Sequence, residues 1–184
     1  MEFTLYYRGP LKSNAKPKEK HRLREHFHSQ LEVLWGQTPL KNREKLVDPS
    51  PKDGDVSLVK PVGGVDFVPL VSERIYLFAE LTITYLRPEP AGKIFTGGGD
   101  IDNRLKTLLD ALCVPNKDQI PRGGLSDHGA EPFFCLLEDD SLVTKIDVQT
   151  DQLLEPGVTK NEVVLLIRVK TKATEAIFAN AGLA

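Results

Sequence analysis

Residues 73–86 constrain the fold more than any other stretch. They read Glu-Arg-Ile-Tyr-Leu-Phe-Ala-Glu-Leu-Thr-Ile-Thr-Tyr-Leu. Over the second half, Leu77, Ala79, Leu81, Ile83 and Tyr85 alternate with polar residues. That period of two predicts a strand with one buried face. Arg87-Pro88-Glu89-Pro90 stops it, and the loop Thr96-Gly97-Gly98-Gly99 follows. Next comes a predicted helix over about 102–113, with Leu105, Leu108, Leu109 and Leu112 on one face at i, i+3, i+4 and i+7. Pro115 ends it.

The rest of the chain is read around this strand and helix. Residues 2–7 predict a first strand, broken by Gly9-Pro10. Residues 18–35 predict a helix, with Leu23, Phe27, Leu31 and Leu34 at helical spacing and Trp35 as core or dimer interface. Residues 40–72, with four prolines and three glycines, read as an inserted loop with a short hairpin around Val62–Val71. Residues 114–136 read as a second long loop, so the two insertions span about 40–72 and 113–138. Strands are expected near 141–149 and 162–170. The sum is one α/β domain of the α+β type over residues 1–184, a small mixed sheet packed with two main helices.

A chain of 184 residues buries a full core unaided. With no apolar run near the ~20 residues of a membrane helix, no signal peptide and two cysteines, the expectation is a reduced, cytoplasmic protein. The net charge of −2 argues against a protein that coats nucleic acid. Charge is uneven, however. Residues 1–45 carry ten Lys or Arg against five acids, and Lys12, Lys16, Lys18, Lys20, Arg22 and Arg24 fall in one run. That run is either a backbone-phosphate contact or a solvated basic face.

Acids gather around 99–110 and 131–155. Asp102, Lys106 and Asp110 are spaced by four, which stacks them on one helix face away from the leucines. Asp100 lies just before the helix, and Asp139-Asp140 precede the next strand. Hard cations such as Mg²⁺ take one or two carboxylates with water and phosphate. Asp100 and Asp102 suit that demand, with Asp139 and Asp140 completing a cluster and Lys106 facing the phosphate. The structural alternative makes Asp102 a helix cap, Lys106–Asp110 a surface pair and residues 138–140 a solvated turn.

The run Gly99-Asp100-Ile101-Asp102-Asn103-Arg104-Leu105-Lys106-Thr107-Leu108-Leu109-Asp110-Ala111-Leu112 resembles the signature of the RusA family of Holliday junction resolvases. Seven fixed positions fall in register over thirteen residues, and Asp139-Asp140 resembles the acidic pair that opens the family's next strand. The opening Leu5 to Asn14 is similar in pattern to the family's first strand and turn. The resemblance implies a homodimer that cuts four-way DNA junctions with Mg²⁺ or Mn²⁺. It implies that Asp100, Asp102 and Asp140 are metal ligands, that Asp139 assists, and that Lys106 is the catalytic lysine. Asn103 and Asp110 take supporting roles. The chain departs from the family in the 26 residues from Cys113 to Glu138, in the insertion at 40–72, in Leu142 and in its acidic balance. These departures keep a second expectation open, a RusA-like protein that binds branched DNA without cutting it. A metal-dependent phosphodiesterase for RNA or flap substrates is a third.

Smaller signals are weighed beside this. Thr96-Gly97-Gly98-Gly99 lacks the Gly-Lys-Ser/Thr ending of a P-loop. Cys113, His128 and Cys135 match no zinc spacing. His21, His26 and His28 are read as surface histidines, with phosphate contact as the alternative and His21 and Glu25 able to pair locally.

Overall fold

Strand β1 (Glu2–Pro10) and helix α1 (Pro17–Trp35) open the chain in the computed structural model, which describes residues 1–89, 101–121, 132–159 and 162–184. Pro17 stands at the first helical position, where its missing N–H costs nothing. The Glu19 carboxylate accepts from the Lys16 N–H at 3.0 Å and closes the turn. Phe27, Leu31 and Trp35 face the core at helical spacing, as expected.

Strand β4 (Leu77–Arg87) is the predicted alternating strand, and Leu77, Ala79, Leu81, Ile83 and Tyr85 are all buried. It lies inside a four-stranded mixed sheet of order β1-β7-β4-β6, with β6 at Val143–Gln152 and β7 at Glu162–Ala173. β4 pairs antiparallel with β7 and parallel with β6. Helix α2 (Ile101–Leu112) packs on α1 and buries Leu108 and Leu112, with Leu105 and Leu109 partly covered.

The expected single sheet is corrected to two. A three-stranded sheet of order β2-β3-β5 joins β2 (Lys60–Val62), β3 (Val65–Val71) and β5 (Phe133–Leu137). β2 and β3 form a hairpin through Gly63 and Gly64, both at positive φ. This is the turn chemistry that favours two-residue hairpin loops. β3 then pairs parallel with β5. The loop expected through 136 therefore ends in a strand, and the segment expected as an insertion carries part of the core, since Phe67, Val68, Leu70 and Val71 are fully buried. Strands covered on both faces read as continuous apolar runs and lack the period-two signal. The result is one small α+β domain, and none of its described helices is long and apolar enough to cross a membrane.

Candidate metal and nucleic-acid site

Helix α2 begins beside the C-terminal half of β4, where the buried Arg104 donates to the Tyr85 hydroxyl at 3.1 Å. Asp102, in its first turn, is exposed, and one carboxylate oxygen accepts from the Asn103 N–H at 2.7 Å. It is a first-turn acid within the helix, not the residue before it, and its charge suits the positive end of the helix dipole. Lys106 stands one turn later, exposed and with no ion pair among the described residues. Asp100 lies outside the described residues.

Asp110, on the same spacing, has a different job. It is half-buried, takes Lys20 at 2.5 Å on one oxygen and accepts from the Gln119 amide at 3.1 Å on the other. It ties α1 and the turn at Lys117–Gln119 to the last turn of α2. Asn103 is half-buried at the helix start.

Asp139 and Asp140 are exposed and sit at the other end of α2. Val114 donates to the Leu137 carbonyl at 3.0 Å, which places the chain just before the acidic pair next to the end of the helix. Both carboxylates add to burial in pushing the Cys113 thiol pKa up. Asp139 caps the short turn Asp140–Leu142, and hydrogen bonds from Ser141 hold its carboxyl below the ordinary value. From Asp102 to Cys113 the helix rises roughly 16 Å. The structure therefore does not gather Asp102, Asp139 and Asp140, and no group of three possible ligands forms among the described residues.

The basic run separates into two classes. Lys12, Lys16, Lys18 and Arg22 are exposed, Lys12 paired with Glu19 at 2.7 Å. Lys12 and Arg22 line a hollow of about 360 Å³ with Tyr7, Pro10 and Leu23. Lys20 is occupied by Asp110. Arg24 is a correction: it is 1% exposed, and donates to the Cys113 carbonyl at 3.1 Å and the Asp110 carbonyl at 2.8 Å. It satisfies carbonyls at the end of α2 and is not on a surface that meets phosphate.

The histidines are also largely committed. His21 is buried, 3.5 Å from the Glu25 carboxylate. His28 accepts from the Phe134 N–H at 3.0 Å and stacks on Phe133. His26 donates to the Tyr6 carbonyl at 2.9 Å. Cys113 and Cys135 are buried thiols, Cys135 pushed up to about 12 by burial, while His128 lies outside the described residues. Sequence reasoning missed the buried Arg104 and Arg87 beside Tyr85. Arg104 is signalled only by its place four residues before Leu108 on the apolar side of α2.

What remains at the start of α2 is an exposed carboxylate and, four residues on, an ammonium with no ion pair among the described residues. The carboxylate's hard oxygens suit Mg²⁺ or Mn²⁺, which bind through one or two such groups with water and phosphate. No protein-family model matches the chain, and no curated protein or solved structure does.

Proposed function

We propose that this chain is a metal-dependent endonuclease acting on branched DNA, four-way junctions foremost. The observation that carries the reading is the exposed pair Asp102 and Lys106, one turn apart at the start of α2, inside a motif that resembles the RusA signature. In this reading Asp102, with Asp100, holds Mg²⁺ or Mn²⁺. The metal supplies Lewis acidity toward a phosphodiester. Lys106 neutralises charge developing on the phosphate oxygens. Asp110 and Arg24 hold α2 against α1, so that both side chains project from a fixed helix. Lys12, Lys16, Lys18 and Arg22 supply backbone contacts. The ligand roles of Asp140 and Asp139 rest on the resemblance alone, and Asp140→Asn decides the first of them: unchanged metal affinity removes it from the set.

A homodimer belongs to the same reading. Its support is the unequal treatment of the sheet edges. The Gln30 amide covers both backbone groups of Tyr6 in β1, at 2.8 and 2.7 Å. At the other edge β6 is mostly exposed, Ile146 included. Among the described residues no further strand pairs with that edge, and an open edge strand is a template for a second copy.

The second reading is a branched-DNA-binding protein that does not cut, favoured by the separation of Asp102 from Asp139-Asp140. Titration with Mn²⁺ separates the two. Heat of binding that disappears in Asp102→Asn supports the nuclease, and no binding to the wild type supports the binder.

A further inference from the structure

A cleft lies away from α2, beside the C-terminal turn. It has a volume of about 680 Å³, within the range of small-ligand sites, and opens between residues 41–46, residues 54–56 and residues 177–179. Leu46, Val56, Ile177 and Ala179 give it an apolar lining. Phe178 stands at its rim, 89% exposed. A single exposed phenylalanine is ordinary. This one is held in a particular way.

The Arg43 guanidinium lies over the Phe178 ring at 5.1 Å and is fixed by donating to the Ala181 carbonyl at 2.7 Å. The turn that carries Phe178 is fixed too. Asn180, 3% exposed, donates to the Ile75 and Glu175 carbonyls at 2.8 and 2.7 Å and accepts from the Ile177 N–H at 3.0 Å. The ring is therefore a pre-positioned platform. Around it Lys45 is neutralised by Asp55 at 2.9 Å. Lys41 and Glu44 are exposed, without ion pairs among the described residues.

We infer that this cleft binds a nucleotide unit, its base stacked on the Arg43–Phe178 platform and its phosphate on Lys41. A ring under a guanidinium is a surface on which any base stacks, since every base presents a π-face. The unit comes either from a free nucleotide or from an unpaired base of a strand. The site is independent of the nuclease reading. Asn180 binds at Ile75 and Arg104 binds at Tyr85, and ten residues of mostly extended chain separate them by roughly 30 Å.

The test uses fluorescence anisotropy with labelled oligothymidylate and calorimetry with deoxyadenosine monophosphate, both at low salt. Wild type is compared with Phe178→Ala, Phe178→Trp and Lys41→Ala. Phe178→Ala weakens binding about tenfold, Phe178→Trp retains it, and Lys41→Ala weakens it and flattens the salt dependence. Phe178 is exposed and its truncation gives up the Arg43 contact, so thermal melting of its variants falls by a few degrees at most and the fold is kept. Binding of both probes identifies the single nucleotide as sufficient, and Phe178-dependent binding of the oligonucleotide alone identifies the strand. Equal binding by wild type and Phe178→Ala, or no binding of either probe by wild type, overturns the proposal.

Discussion

Arg24 belongs by composition to a basic run and by position to the core. Its guanidinium joins α1 to the end of α2 through two carbonyls. Burial pulls its pKa down, and no carboxylate pairs with it among the described residues. Arg24→Ala leaves both carbonyls without that donor and costs about 3 kcal/mol, read as a lower urea midpoint. Arg24→Lys recovers only part, because an ammonium lacks the planar fork that spans two acceptors. An unchanged midpoint would return Arg24 to the surface contacts. The signal was present in the sequence, since Arg24 stands three residues before Phe27 and seven before Leu31, on the stripe that α1 buries. Charge type hid what spacing indicated. Asp102 and Lys106 were legible for the opposite reason. Their spacing of four fixed their shared face, and the structure leaves both exposed. The far end of the cluster was not legible, because spacing along a chain does not say which end of α2 the later strand reaches.

The elements that carry period-two or helical patterns, β4, α1 and α2, stand within two residues of where the sequence puts their ends, apart from the start of β4, where a short turn at Glu73–Ile75 precedes the strand. In the second sheet, the hairpin expected around Val62–Val71 is there as β2 and β3, but β5 and its pairing with β3 escaped, since β5 is a short apolar run with no alternation. Two predictions address that sheet. Gly64 has φ +84° with open space around it, so Gly64→Ala loses about 1 kcal/mol through backbone strain alone, and Gly64→Asn loses less. Equal midpoints for Ala and Asn in chemical denaturation would remove the strain argument. Glu138, just past β5, ties the strand ends of this sheet together through Lys60 of β2 and the Ser72 hydroxyl just past β3. Burial raises its pKa, and these partners more than offset that, holding it below the usual 4.5. A carboxylate with a depressed folded pKa contributes stability above its unfolded value and loses it as pH falls through the folded one. Glu138→Gln therefore flattens the fall in stability below about pH 4.5, measured by denaturation at stepped pH. A slope equal to wild type would show that the contacts contribute nothing.

At the scale of the whole molecule, the proposals fall on separate parts of the surface: the edge at β6, the start of α2 and the cleft at Phe178. If a second copy pairs along β6, Ile146→Lys puts a charge on the joining edge and raises the dimer dissociation constant at least tenfold, while the monomer stays folded. Sedimentation of wild type as a monomer at every concentration would remove the homodimer. A metal-holding Asp102 at the start of α2 is tested by cleavage. A labelled four-way junction is incubated with wild type and with Asp102→Asn, with and without Mg²⁺ or Mn²⁺, beside duplex and single-stranded controls. Paired, metal-dependent nicks in the junction that vanish in the variant are the predicted result. Junction binding without nicks in either metal, or cutting by Asp102→Asn at the wild-type rate, would contradict it.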